Sequence, residues 1–127
     1  MPVKYVLLEK GNPGKPEEQK KWYASTKNTG EITLKALKKE IIKRTTVNYT
    51  DILAVLESLK QVLCEQLKEG KIVRLGDFGS FQVRIESEGA ERKEKYTIPL
   101  IKSKKVVFRP GAGLKEMLND LEFEIVD

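Results

Sequence analysis

The sequence predicts an α+β fold in which two helices precede a β-sheet and a short helix follows it. Apolar residues recur at helical spacing through residues 33–69. The next stretch, RLGDFGSFQVR at residues 74–84, has the pattern of a strand, a glycine turn and a second strand. Gly76 and Gly79 permit a positive φ, so the chain can reverse direction between them. Pro110 suits the first turn of the closing helix, where no amide hydrogen is needed.

Capping residues predict the ends of the two long helices. Thr33 is the expected N-cap of a helix that ends at Arg44, and Asn48 the expected N-cap of a helix over Tyr49–Glu69 that Gly70 terminates. The apolar face of the second helix is too wide for one neighbour, and we expect it to contact the first helix on one side and a second subunit on the other. This face comprises Ile52, Leu53, Val55, Leu56, Leu59, Val62, Leu63 and Leu67.

Two polar or reactive side chains of these helices receive ordinary structural interpretations. Lys38 lies off the apolar stripe of the first helix and is predicted to face solvent. Cys64 is the single cysteine of the chain and falls within the second apolar stripe. We interpret it as a buried structural thiol and not as a nucleophile, because the chain contains no histidine to activate it.

Four strands are predicted for the central sheet, with a projecting hairpin between Glu86 and Glu94. They are Lys71–Leu75, Ser80–Glu86, Glu94–Ile98 and Lys104–Phe108. Three phenylalanines alternate with polar neighbours and are expected in the core, not as stacking platforms for bases; they are Phe78, Phe81 and Phe108.

Further strands are predicted at the two ends of the chain, over residues 3–9, 21–27 and 121–125. A loop with two glycines and two prolines, residues 11–16, joins the first two. Trp22 and Tyr23 either stack on a base or attach these strands to the main body, and we favour attachment because both side chains bury large areas.

Composition favours a dimer with an anionic partner. The chain has 127 residues, of which 39% are hydrophobic and 34% charged, a balance that suits a core completed across an interface. Residues 71–115 carry eleven Lys/Arg against five Asp/Glu, a local charge of +6, whereas residues 116–127 carry five acids and no base. A basic middle segment fits an anion bound on one face, although an ordinary solvated surface or an edge strand guarded by lysines explains composition equally well.

Other classes of function find little support in the sequence. The absence of histidine removes the usual proton shuttle and the commonest metal ligand, so we expect no enzyme, no cofactor and no metal site. No apolar run approaches the roughly 20 residues of a membrane span, and the N-terminus lacks the pattern of a signal peptide. The expected location is therefore the cytoplasm. The spacing of Gly76 and Gly79 is too short for a phosphate-binding loop.

Two motifs resemble those of the HU/IHF family of bacterial histone-like DNA-binding proteins. The family's GFGxFxVR turn appears here with Asp77 between Gly76 and Phe78, and its FxPGxxLK segment appears as FRPGAGLK, from Phe108 to Lys115. The resemblance covers residues 31–120. It implies an intertwined homodimer whose two N-terminal helices form the base and whose β-sheet forms a saddle with a short hairpin arm.

The resemblance also implies where DNA would bind. Arg84 matches the arginine at the base of the arm, and Arg109 and Lys115 match basic positions of the second motif, whereas Ala112 replaces a usual lysine. The arm itself, Glu86–Thr97, lacks the family's proline and has a net charge of −1. We therefore expect the basic residues that matter most for DNA binding to lie nearer the last helix. The predicted DNA-binding residues are Arg84, Arg92, Lys93, Lys95, Lys102, Lys104, Lys105, Arg109 and Lys115.

The expected function is sequence-tolerant binding of double-stranded DNA by an architectural homodimer of the bacterial nucleoid, with no membrane and no small-molecule substrate. The second helix is too acidic to read a DNA groove, which disfavours a helix-turn-helix reader. The rival hypothesis is a protein-interaction module that keeps the dimer fold and has little affinity for DNA. We expect three segments: an N-terminal β extension (1–30), an HU-like DNA-binding domain (31–120) and a C-terminal strand (121–127).

Overall fold

The computed structural model describes residues 2–11, 13–15 and 17–126, and it contains three helices and two three-stranded sheets in these parts of the chain. The helices are α1 (Leu34–Arg44), α2 (Tyr49–Lys68) and α3 (Ala112–Asn119). The strands are β1 (Val3–Lys10), β2 (Lys21–Thr26), β3 (Val73–Arg74), β4 (Gly79–Ser87), β5 (Ile101–Pro110) and β6 (Phe123–Ile125). No helix in the described ranges is long and apolar enough to cross a membrane.

The predicted helix ends are confirmed. The Thr33 hydroxyl accepts a hydrogen bond from the Ala36 amide at 3.2 Å and caps α1. The Asn48 side chain accepts one from the Asp51 amide at 2.9 Å and caps α2. Gly70 has a φ of 82°, the left-handed conformation that ends a helix without strain at this residue type.

The central sheet has the order β3-β4-β5, and all its pairs are antiparallel. The prediction of a strand over Glu94–Ile98 is wrong, because β5 pairs directly with β4 and residues 88–100 only connect them. This connection contains two 3₁₀ turns, Lys93–Lys95 and Ile98–Leu100. Pro99 explains the second turn, because it has no amide hydrogen to donate to a neighbouring strand and its fixed φ suits the start of a helical turn.

The terminal strands form a second sheet with the order β2-β1-β6, which confirms that they pair with one another. Strand β1 runs antiparallel to β2 and parallel to β6. The loop between β1 and β2 is described only in part, because Asn12 and Pro16 lie outside the described residues. Trp22 is 63% exposed and Tyr23 48% exposed, so the expected role of both side chains as attachments to the main body is wrong.

The core of the single chain is small. Ile52, at 5% exposure, is the one large hydrophobic side chain in the described ranges that is buried. The Phe108 ring lies 5.8 Å from the Phe78 ring and 4.9 Å from the Phe81 ring, centroid to centroid. Phe78 is 56% exposed and Phe108 39% exposed, so the prediction that both are core residues is wrong for this chain. Exposed apolar side chains in such number mark surfaces that contact another molecule.

Lys38 and Cys64 also differ from expectation. Lys38 is buried, with Nζ 5.2 Å from the centre of the Tyr49 ring, so its aliphatic stem packs between α1 and α2 and its charge interacts with the aromatic face. Cys64 is exposed, because it lies toward the edge of the α2 stripe and the chain supplies nothing to cover it.

Candidate nucleic-acid interface

The register of β4 and β5 decides which charged residues share a face of the central sheet. Residues directly opposite each other in an antiparallel pair point to the same side, and successive residues alternate. Arg84 pairs with Lys105, and Ser80 pairs with both Arg109 of β5 and Arg74 of β3. One side of the sheet therefore carries four cations, which we call the basic face: Arg74, Arg84, Lys105 and Arg109.

The opposite side of the sheet is apolar. Its paired positions are Val73 with Phe81, Phe81 with Phe108 and Val83 with Val106. Val106 is 59% exposed, so this side also lacks cover within the chain. Polar and apolar residues thus alternate along β4 from Ser80 to Glu86, as they do in a sheet with one packed face and one solvated face. In β5 the alternation is incomplete, because Val107 lies on the basic face.

The glycine turn before β4 positions the basic face against α3. Gly76 has a φ of 55° and Gly79 a φ of 145°, which only glycine adopts readily. The Gly111 amide donates a hydrogen bond to the Phe78 carbonyl at 3.0 Å, and the Gly113 amide donates to the Asp77 carbonyl at 3.2 Å. The turn therefore holds the first residues of α3 beside the end of β5.

A pocket of about 300 Å³ lies where the turn, β4 and the start of α3 meet. Arg74 and Arg109 line it together with Ser80, which stands between them in the sheet. The two guanidinium groups of Arg74 and Arg109 are donors of the kind that bind phosphate oxygens. The remaining lining residues are Gly76, Gly79, Pro110 and Gly111.

Arg74 is the residue that sequence reasoning missed. Arg74 is the first residue of the stretch at 74–84, but it belongs to a strand of only two residues. Its position near Arg109 depends on the pairing of Arg74 with Ser80 across the glycine turn. The available signal was the alternation across that turn, which places Arg74 opposite Ser80 once Gly76 and Gly79 are read as its corners.

The nine predicted residues do not form one group. Arg84, Lys105 and Arg109 lie on the basic face, whereas Lys104 pairs with Ile85 on the apolar side. Lys104 and Lys105, both among the predicted DNA-binding residues, therefore do not share a surface, because adjacent strand residues point to opposite faces. Lys115 is exposed on α3, after the pocket.

The remaining predicted cations lie at or beyond the end of the sheet. Lys102 falls at the irregular register next to Ser87, and three others lie in the connection: Arg92, Lys93 and Lys95. The Tyr96 hydroxyl donates a hydrogen bond to the Ser87 hydroxyl at 2.6 Å, which ties the connection back to β4. The connection is thus folded against the end of the hairpin and is not an extended ribbon.

Glutamates of the connection and of β4 approach several of these cations. Lys105 Nζ lies 3.9 Å from Glu86, Lys102 Nζ 3.9 Å from Glu88, and Lys95 Nζ 3.9 Å from Glu91. All six groups are largely exposed, so each pair stabilises the chain little and exchanges readily with another anion. Arg74, Arg84 and Arg109 are therefore the stronger candidates for phosphate contacts.

Comparison with known proteins supports the two motifs. A family model described as "HU domain fused to wHTH, Ig, or Glycine-rich motif" matches residues 1–125. The α subunit of integration host factor from Rhodospirillum rubrum is 31% identical over 91 residues, which cover 70% of this chain and 87% of that protein. The chain belongs to the HU/IHF family. The resemblance inferred from the glycine turn and the FRPGAGLK segment is thereby confirmed.

One further relative and one solved structure are also similar to this chain. The DNA-binding protein HU of Thermotoga maritima is 29% identical over 87 residues, which cover 67% of this chain and 97% of HU. A crystal structure from Bacteroides vulgatus, provisionally described as a bacterial DNA-binding protein, superposes with a TM-score of 0.69 at 15% identity. It covers 98% of this chain, terminal strands included, while the chain spans 48% of that structure. That likeness establishes the shared fold.

Proposed function

We propose that the chain binds double-stranded DNA without strong sequence preference, as an architectural homodimer of the bacterial nucleoid, and that it performs no catalysis. The proposal rests on the arrangement of the basic face, on which cations of neighbouring strands lie side by side. Arg84 stands directly opposite Lys105, and Arg74 and Arg109 flank Ser80. Like charges paired across strands are unfavourable on their own. Glu86 lies on the same face 3.9 Å from Lys105, but this exposed ion pair offsets little of the repulsion, and a polyanion bound on the face relieves it.

Phosphates are the natural ligands of this arrangement. The cations project from a sheet face and a helix start, so they can follow a backbone of regularly spaced charges but form no recess that reads base edges. The name of one relative, DNA-binding protein HU, agrees with this ligand. Contacts of this type confer affinity that depends on salt and little on sequence.

The homodimer is the second part of the proposal. Helix α2 directs Ile52, Leu56 and Leu63 toward its own chain but leaves Val55, Leu59 and Val62 exposed at a spacing of one helical face. The apolar side of the central sheet is likewise uncovered. Association of two copies through these surfaces completes a core that one chain lacks. The three-segment division at residues 30/31 and 120/121 stays a prediction.

A salt titration of DNA binding tests the function. Replacing Arg84 and Lys105 together with Gln is expected to flatten the slope of log affinity against log salt by up to about 2, because each phosphate contact contributes about −0.9 on duplex DNA. The loss should be equal for unrelated duplexes. The charge-matched double variant Arg92→Gln/Lys93→Gln should change the slope less, since neither residue lies on the basic face.

The two outcomes that would change the assignment are distinct. A larger effect of the Arg92/Lys93 pair would move the DNA site to the connection between β4 and β5. If the unsubstituted protein does not bind DNA, or binds it with an affinity that does not depend on salt, the alternative of a protein-interaction module is favoured. The glutamates beside Lys102 and Lys105 are the observation that keeps this alternative open.

A further inference from the structure

The two sides of the terminal sheet differ in charge. Paired strand residues share a side of a sheet, and successive residues alternate between the sides. Trp22 and Phe123 lie on one side, where Glu9 is the charged residue among the strand positions. The other side carries three lysines around an aromatic and an aliphatic side chain. We call it the lysine face; its members are Lys4, Leu8, Lys10, Lys21 and Tyr23.

The centre of the lysine face is an exposed apolar platform. Tyr23 stands directly opposite Leu8, and the two side chains are 48% and 43% exposed. The sequence leaves two roles for Tyr23, stacking on a base or attachment to the main body, and its exposure removes the second. An aromatic ring on an open sheet face is a surface on which an unpaired nucleic-acid base stacks.

The lysines lie on both sides of this platform. Lys10 and Lys21 pair with each other two residues away from Leu8 and Tyr23, about 7 Å along the strands. Lys4 lies four residues from Leu8 in the other direction, about 13 Å away, and pairs with Glu124, the one acid among the strand positions of this face.

The charge of Lys10 and Lys21 is uncompensated. In the described part of the chain no ion pair includes either residue or Lys4, whereas Lys95, Lys102 and Lys105 each have a glutamate nearby. Like charges that stand directly opposite each other in a sheet repel, and a bound anion relieves the repulsion.

We propose that the lysine face binds a single-stranded nucleic acid, with one base stacked on Tyr23 and Leu8 and the adjacent phosphate held by Lys10 and Lys21. Single-strand sites combine cations that follow the backbone with aromatic rings that stack on the bases, and this face has both. A duplex is a poorer occupant, because its bases are enclosed in the helical stack. The lysine face belongs to a different sheet from the basic face and does not rest on the duplex binding proposed above.

Protection of a sheet edge accounts for only part of this face. A lysine on an edge strand discourages pairing with other chains, and Lys21 on β2 fits that role. Lys4 does not, because it pairs with Glu124 on one side while its carbonyl accepts a hydrogen bond from the Lys27 amide at 2.7 Å on the other. Edge protection also gives no reason for an exposed tyrosine in the middle of the face.

A competition experiment tests whether the site is separate from the basic face. The probe is a fluorescently labelled oligothymidylate of about ten nucleotides, titrated with and without saturating unlabelled duplex DNA. We expect the duplex to change the affinity for the single strand by no more than about twofold. Complete displacement of the strand by the duplex would overturn a separate single-strand site.

Two neighbouring aromatic residues provide a matched pair of variants. Tyr23→Ala is expected to weaken binding of the single strand at least about fivefold, the lower limit for loss of a base–aromatic stack, whereas Tyr23→Phe should bind within about twofold of the unsubstituted protein. Trp22→Ala is the control, because Trp22 has a larger ring, is 63% exposed and points to the opposite side of the sheet. A loss in Trp22→Ala as large as that in Tyr23→Ala would overturn the assignment of the face. Circular dichroism checks that all three variants are folded.

A salt titration tests the lysines and does not depend on the tyrosine variants. Lys10→Gln/Lys21→Gln should flatten the slope of log affinity against log salt by up to about 1.4, because each phosphate contact contributes about −0.7 on single strands. The charge-matched control is Lys35→Gln/Lys39→Gln, since both lysines are exposed on α1 and lie outside the terminal sheet. Equal flattening by the two double variants would mean that net charge alone governs binding, and would overturn the site.

An abasic strand of the same length separates stacking from charge. It carries phosphates without bases, so it should bind more weakly than oligothymidylate and should be unaffected by Tyr23→Ala. Equal affinity for the two strands would overturn the stacking on Tyr23. Oligouridylate of the same length distinguishes RNA from DNA as the source of the strand, and binding of either that depends on Tyr23 supports the site.

The lysine face and the duplex site can fail separately. A protein that binds duplex DNA and no single strand would overturn the lysine face and leave the proposed function intact. A protein that binds the single strand through Tyr23 and binds no duplex would overturn the proposed function and leave the lysine face intact.

Discussion

Replacing Leu59 with Asp is expected to abolish cooperative folding and not to release a folded monomer. Leu59 lies between Val55 and Val62 on the side of α2 that the chain leaves exposed. If this side meets a second subunit, the new carboxylate is buried without a partner, at a cost of several kcal/mol. That cost is comparable to the total stability of a domain, about 5–15 kcal/mol.

The monomer has little with which to compensate. Among the described large hydrophobic side chains only Ile52 is buried, so a single chain has almost no core of its own. A single domain of this size depends on a buried apolar core for its stability. Folding and association are therefore expected to be one transition, with a midpoint that rises with protein concentration.

Lys60→Asp is the control for this prediction. Lys60 follows Leu59 in α2, is 68% exposed at its side chain and forms one exposed ion pair with Glu57 at 3.2 Å. Its replacement should change stability by no more than about 0.5 kcal/mol. Far-ultraviolet circular dichroism and sedimentation velocity distinguish the outcomes. A Leu59→Asp protein that sediments as a folded monomer would contradict an interface on this side of α2.

The helices could be predicted because their signals are local. Thr33 and Asn48 cap the amides that follow them within one turn, and Gly70 ends α2 through its own φ. Each signal requires only neighbouring residues. The terminal strands were predictable for a related reason, since short runs rich in Val, Tyr and Leu have few alternatives to pairing.

The connection between β4 and β5 was not predictable from alternation. Residues 94–98 alternate in polarity only from Lys95 to Ile98, and β5 begins later, at Ile101, and pairs with β4 through Ser87. The register of a hairpin depends on where both strands end, and Pro99 and the irregularity at Glu86 and Ser87 decide that here. A pattern of five residues contains no information about its partner.

The candidate site was predicted in composition but not in geometry. The sequence places cations in the right segment, yet only the pairing of β3, β4 and β5 separates Lys105 from Lys104 and adds Arg74. Burial failed for a different reason. Lys38 is covered because Tyr49 of the next helix lies over it, a contact between elements that no periodicity within α1 reveals.

Four glycines of this chain differ in two properties that decide the cost of a side chain: whether φ is positive, and whether an added Cβ would overlap neighbouring atoms. Gly79 has a positive φ of 145° and no room, since an added Cβ would overlap the Arg109 carbonyl and the Phe108 ring. Gly76 has a positive φ of 55° but open space around it. Gly111 has an ordinary φ of −85° and no room, because a Cβ would overlap the Asp77 carbonyl. Gly89 has neither constraint.

Replacing each of these glycines with Ala should therefore give graded losses of stability. Gly89→Ala is expected within about 0.5 kcal/mol of the unsubstituted protein, and Gly76→Ala should lose about 1–2 kcal/mol from its left-handed conformation. Gly111→Ala should lose about 1–3 kcal/mol through crowding where the turn meets α3. Gly79→Ala combines both costs and should lose more than about 3 kcal/mol, enough to leave a marginally stable protein largely unfolded. Urea unfolding at one fixed protein concentration measures all four. Because Gly79 lies between the pocket of Arg74 and Arg109 and the phenylalanine cluster, a Gly79→Ala protein no less stable than Gly76→Ala would contradict the close approach of β5 to the turn.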